Sequence, residues 1–161
     1  MENTVADSVW LDQRQLDAWR AFLLAGSLIE RQVEQQLRDE AQLSHQQYEV
    51  LSRLADAPGG ELRMTVLADV ALTSKSGLTY QVTQLEKAGL VRRRSCAGDD
   101  RGVIASLTEA GLERVRAAAP GHASLVRALF VDGLSDEEFD GLSQALATLV
   151  DRLTGSGTRS S

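Results

Sequence analysis

One stretch of this sequence combines small polar side chains at helical spacing with a block of cations soon after. Ser74, Lys75, Ser76, Thr79, Tyr80 and Thr83 fall within ten residues. Ser76, Thr79, Tyr80 and Thr83 recur three and four apart, so a helix carries them on one face, opposite Leu78, Val82 and Leu85. Such a face suits the major groove of DNA, about 12 Å wide, which admits one α-helix. Side chains near the helix start reach base edges there, while hydroxyls and the helix N-terminus hold phosphates. Gly77 fits a place where another backbone, or the DNA, comes close.

The cations follow as Arg92, Arg93 and Arg94, with Arg101 further on. Short segments with β-branched ends, 91–95 and 102–107, flank a turn-forming stretch that holds Gly98, Asp99 and Asp100. The pattern predicts a β-hairpin with a charged tip. Alternation along a strand sends Arg92 and Arg94 to one side and Arg93 to the other. A basic hairpin after a groove-reading helix is a wing, able to track phosphates or enter a minor groove. Asp99 could fix the orientation of Arg101 through a charge-assisted hydrogen bond. Taken alone, Asp99 to Gly102 is equally an ordinary polar turn.

The elements that would position these groups are mostly helical. Leu16, Trp19, Leu23, Ile29, Val33 and Leu37 recur mostly at three and four, predicting a helix from about Leu11 to Glu40. At about 42 Å it exceeds what a small domain covers, so part of its stripe should meet a partner chain. Ser44 with Gln47 forms a capping box for a helix that turns Tyr48, Leu51 and Leu54 inward. Pro58, Gly59 and Gly60 end it. A short helix from Thr65 uses Val66, Leu67 and Val70 as its apolar side. After a break at Leu72, Thr73 or Ser74 caps the polar-faced helix, which stops at Gly89. A short helix, a tight turn and a longer helix make a helix-turn-helix. Thr108 caps a further helix that Pro120 should kink or divide. Ser135 with Glu138 caps a last one, expected to bury Phe139, Leu142, Leu146, Leu149 and Leu153.

Composition bounds the alternatives. The 161 residues suit one domain with an extended arm. Leu and Ala dominate the apolar set, so a mainly α fold is expected. One cysteine, Cys96, with His45 and His122, leaves no basis for a disulfide or a Cys/His metal cluster. No stretch is apolar for the roughly 18 residues of a membrane span, and the acidic N-terminus is unlike a secretory signal, so a cytoplasmic location is expected. Phosphate loops, metal-ligand spacings and serine elbows are missing, which argues against an enzyme and implies no cofactor. The net charge is -6, yet residues 62–107 hold seven basic and four acidic side chains. A basic middle on an acidic frame is the asymmetry of a DNA reader.

With these motifs in place, the sequence resembles the MarR family of winged helix-turn-helix regulators. The resemblance rests on KAGLVRRR, on SLTEAG, and on the family's D-x-R wing signature as Asp99, Asp100 and Arg101. It implies a flexible N-terminus (1–10), a helical dimerisation region (11–42 and 108–153), a winged helix-turn-helix DNA-binding domain (43–107) and a disordered tail (154–161). It further implies a homodimeric transcriptional regulator, in most members a repressor, gripping a pseudo-palindromic operator and releasing it when a small phenolic or aromatic anion binds. Trp19, Arg20, Phe22 and Tyr48 are the residues this assigns to the effector, as aromatic walls with one cation; on helical spacing alone, Trp19, Phe22 and Tyr48 read as plain core. His45 lies beside them, inside a cap, and is expected to be exposed. The chain departs from similar members in having Tyr80 and Gln84 where they often have Arg. The peroxide-sensing branch has its cysteine in the first helix, whereas Cys96 lies in the wing. The main alternative is a winged-helix protein–protein module without DNA binding. Tyr80 and Gln84 favour that alternative, and Arg92 to Arg94 oppose it.

Overall fold

A computed structural model describes residues 10–155, apart from Leu72, Ala97 and Gly98 and from the side chains of residues 96 and 99–101. The expected loose N-terminus, most of the tail and the hairpin's tip therefore lie outside the described residues. The order is α1 (Gln13–Ala41), α2 (His45–Asp56), a 3-10 turn (Pro58–Gly60), β1 (Glu61–Arg63), α3 (Met64–Val70), α4 (Lys75–Lys87), β2 (Val91–Cys96), β3 (Asp99–Leu107), α5 (Glu109–Val126), a π turn (Arg127–Val131) and α6 (Asp136–Thr154).

Local chemistry sets most boundaries. Asp12 opens α1 with a full capping box to Gln15, and Ser44 and Ser135 do the same for α2 and α6. Ser74, not Thr73, caps α4: its Oγ accepts the Gly77 N–H at 3.0 Å. Gly89, at φ 74°, takes the left-handed turn that ends α4 and feeds β2. Thr108 Oγ1 accepts from Gly111 N at 3.0 Å at the start of α5. That helix runs through Pro120 without dividing, and its ladder loosens only at the π turn.

The chain forms two compact units, Met1–His122 and Ala123–Ser161. In the first, α2, α3 and α4 surround a core of Leu51, Leu54, Leu67, Leu78, Val82 and Leu85, all at most 1% exposed. The three strands pair antiparallel in the order β1-β3-β2. Glu61 to Arg63 pair with Ser106 to Ile104, so a third strand joins the predicted hairpin. Its three residues are too few to show a period of two in sequence. The short helix α3 buries Leu67 and Ala68, not the predicted Val66 and Val70, which are 43% and 40% exposed. With only seven residues, about two turns, α3 gives too short a stripe for its buried side to be read from periodicity.

In the second unit, Phe130 and Phe139 meet edge to face at 6.1 Å. Contrary to the sequence expectation, α6 buries none of its apolar residues: Leu149, Val150 and Leu153 are 45%, 56% and 85% exposed. Among the described residues of this unit, nothing covers the apolar face of that amphipathic helix.

Candidate nucleic-acid interface

The helix α4 is fixed by Leu78, Val82 and Leu85 on its inner side. Its outer side presents Ser76, Thr79 and Tyr80 exposed and Thr83 half-buried, with Lys75 and Lys87 exposed at the two ends. A Cβ on Gly77 would lie 2.9 Å from Thr73 Oγ1 and 3.0 Å from Ser74 Oγ, so this glycine makes room for the cap. That is a local reason for Gly77, beside the expected close approach of another backbone or the DNA. Across the inner flank, Gln81 Nε2 donates to Gln46 Oε1 at 2.7 Å and ties α4 to the start of α2.

The wing uses its arginines unequally. Glu86, on α4, accepts from the backbone N–H of Arg93 at 3.0 Å and from its guanidinium at 2.6 and 3.0 Å. Those donors hold the Glu86 carboxyl below its usual range. Glu61, on β1, accepts from Arg94 Nη2 at 2.9 and 3.0 Å and from Ser106 Oγ at 3.1 Å. Arg94, then Ser106, lower its titration likewise. Arg93 therefore clamps the wing to α4, and Arg94 clamps β2 to β1. Among the described residues Arg92 makes no ion pair and is exposed. Sequence alternation correctly sends Arg93 to the other side, but Glu86 and Glu61 are partners that sequence reading missed. Glu61 lies 33 residues from Arg94, a separation that carries no local signal. Of Asp99 and Arg101 the structure describes only the backbone, which belongs to β3.

Between α3, α4 and the wing lies a groove of about 320 Å³, lined by Arg63, Thr65, Thr79, Arg93 and Val103 among others. Thr79 is thus on the wing side of α4 and Gln81 on the α2 side.

The four residues assigned to an effector do not meet within the chain. Trp19 and Phe22 stack at 6.0 Å on α1, 51% and 54% exposed, with Arg20 exposed between them. Tyr48 is buried, its ring 4.5 Å from that of His122. His45, beside Tyr48 on α2, is level with Glu30 of α1, where its Nδ1 lies 2.9 Å from the carboxylate. Trp19 is therefore about 16 Å up the helix from this cluster, at 1.5 Å per residue. His45 is only 25% exposed, because Glu30 and Glu49 hold it against α1 and α2. The Nδ1 of His122 is buried without a hydrogen-bond partner. Burial, and then the neighbouring His45 charge, push the titration of His122 down.

Among the described residues no group of side chains could hold a metal ion, and no helix is long and apolar enough to cross a membrane. A capped helix with an open polar face, beside a three-stranded wing with an unpaired cation, defines a winged helix-turn-helix reader of DNA. Comparison with known proteins gives the family. The MarR family profile matches residues 41–102. AbsC, a MarR family transcriptional regulator from Streptomyces coelicolor, is 40% identical, with 91% of this chain and 98% of that chain covered and a TM-score of 0.86. Sco3205, a MarR family regulator from the same organism solved in complex with DNA, is 36% identical over 94% of this chain and 96% of its own, with a TM-score of 0.88. The HTH-type transcriptional repressor YetL of Bacillus subtilis is 33% identical over 112 residues, 70% of this chain and 66% of YetL. This chain belongs to the MarR family of DNA-binding transcriptional regulators.

Proposed function

We propose that this protein is a cytoplasmic, homodimeric repressor that binds a pseudo-palindromic operator and leaves it when a small aromatic anion binds. The observation that carries the dimer is the apolar surface left open at the two ends of the chain. Trp19, Phe22, Leu23, Leu24 and Leu28 on α1 are 40–61% exposed, and Leu149, Val150 and Leu153 on α6 are 45–85% exposed. Soluble monomers rarely leave so many large apolar side chains open on one helix. A second copy of the chain supplies the cover, in an interface expected to exceed about 2,000 Å², the obligate class. Two copies then present two α4 helices to DNA, which must lie about 34–36 Å apart, or a multiple, to enter successive turns of one face.

In this reading Ser74, Lys75, Ser76, Thr79, Tyr80 and Thr83 face the major groove. Arg92 and Arg101 track the backbone, Asp99 orients Arg101, and Arg93 and Arg94 shape the wing that carries them. Because Trp19, Arg20 and Phe22 lie far from Tyr48 within one chain, an effector pocket that uses all four is completed only across the dimer. An anionic aromatic ligand there would stack on the rings and pair with Arg20. Moving a DNA-competent population from 99% to 1% takes roughly a 10⁴-fold preference for the incompetent form, which a buried junction site can supply. Sedimentation of the full chain at micromolar concentration should give about twice the chain mass; a stable folded monomer refutes the dimer. Titrating the operator complex with salicylate should release DNA, and Arg20→Ala should keep operator binding and lose that response. An equal response in the variant places the ligand elsewhere.

A further inference from the structure

The outward threonines of α4 have already used their protons. Thr79 Oγ1 donates to the Lys75 carbonyl at 2.8 Å, and Thr83 Oγ1 donates to the Thr79 carbonyl at 2.7 Å. A hydroxyl bonded inward in this way can still accept a hydrogen bond but cannot donate one to a base. Toward a base each threonine therefore offers an oxygen that only accepts and, beside it, its γ-methyl. Between them stands the ring of Tyr80, 61% exposed. No arginine occurs in α4, and its two lysines, Lys75 and Lys87, stand at its first and last positions.

The major groove offers two kinds of contact to such a surface. Guanine presents two acceptors, N7 and O6, which call for donors, most often Arg or Lys. Thymine adds a C5 methyl, which calls for an apolar neighbour. The middle of α4 carries no cationic donor, and its two outward threonines hold their γ-methyls beside the exposed Tyr80 ring. We propose that Thr79, Tyr80 and Thr83 form an apolar strip that selects operator half-sites by packing on thymine C5 methyls. This deepens the DNA-binding reading and rests on it. It also accounts for the four-residue spacing of the two threonines. One helical turn separates them, and each uses the carbonyl one turn back, so their methyls are carried as a repeated element along one side of the helix.

The test separates this inference from the reading beneath it. Half-sites are first selected by the full-length protein from a random duplex pool. Each thymine in the selected site is then replaced by deoxyuridine, which removes the methyl alone and needs no protein variant. At contacted positions each replacement should weaken binding about fourfold, the worth of one buried methyl-sized group. Thr79→Val and Thr83→Val keep a methyl and lose the hydroxyl, and should still distinguish the thymine duplex from the deoxyuridine duplex as wild type does, since the hydroxyl's donor is not used on DNA. Thr79→Ser and Thr83→Ser lose the methyl, and should weaken binding to the thymine duplex while no longer distinguishing it from the deoxyuridine duplex. Circular dichroism of each variant checks that α4 is intact. If deoxyuridine has no effect at any position, or the valine variants fail where the serine variants bind normally, the methyl strip is refuted and hydroxyl readout replaces it. If no duplex is selected at all, the DNA-binding reading itself fails, and this inference with it.

Discussion

Replacing Arg92 by alanine should flatten the salt dependence of operator binding, whereas replacing Arg94 should leave it nearly unchanged. Both residues sit on the same side of β2, and their sequence context is identical in kind. They differ in their partners. The Arg94 guanidinium meets both oxygens of Glu61 at 2.9 and 3.0 Å, while Arg92 has no ion pair among the described residues. Each phosphate contact contributes about 0.9 to the slope of log affinity against log salt. A dimer that loses one contact per protomer therefore loses about 1.8 of slope. Between 50 and 200 mM salt, that changes the ratio of wild-type to variant affinity by about 12-fold. Fluorescence anisotropy of a labelled operator duplex across this range measures it directly. Glu61→Gln supplies the converse: it releases Arg94 without removing a cation, and should steepen the slope by up to about 0.9 per protomer. The Arg94–Glu61 pair is surface-exposed and correspondingly weak. If Arg94→Ala flattens the slope as much as Arg92→Ala does, the pair opens on DNA and the division of labour within the wing is wrong.

Two further expectations concern stability. Burial holds the His122 titration below its ordinary value near 6.5, so between the two values the unfolded chain binds a proton that the folded chain refuses. Stability should therefore fall as the pH drops below about 6.5, flattening once the folded-state value is passed. The urea midpoint should drop less between pH 7.5 and 5.5 in His122→Gln than in wild type, and equal drops would remove His122 as the cause. Gly111→Ala should destabilise the fold by about 3 kcal/mol or more, because its Cβ would fall 2.1 Å from the Leu90 carbonyl oxygen. Gly121→Ala meets mainly the ends of the Glu40 and Gln36 side chains, which can move, and should cost clearly less. Thermal melts of the two variants decide this, and similar losses would show that the backbone at 111 yields.

The parts of this fold that sequence reveals are those whose causes are local. The capping boxes at Ser44 and Ser135, the left-handed stop at Gly89 and the buried series Leu78, Val82 and Leu85 each depend on residues within a turn or two. The missed parts depend on distant segments. β1 exists because β3 offers it an edge, and α3 buries Leu67 and Ala68 against neighbours that its seven residues do not reveal. The open face of α6 is a different kind of failure: its amphipathic pattern is real, but the described residues of its own unit do not cover it.

The wing shows why a cation block in a sequence overstates a DNA contact. Counting charge, Arg92, Arg93 and Arg94 are equivalent, and all three support nucleic-acid binding. In the fold, two of them are already neutralised by carboxylates from α4 and β1. Those pairs still serve binding, through position. Arg93 locks the hairpin to the end of the helix that enters the groove, and Arg94 locks the hairpin to the third strand. A wing held at both points presents Arg92 at a set offset from Tyr80 before any DNA is met. Fixing that offset before binding lowers the ordering cost at the moment of contact. One free arginine on a clamped wing can therefore contribute more than three on a loose one.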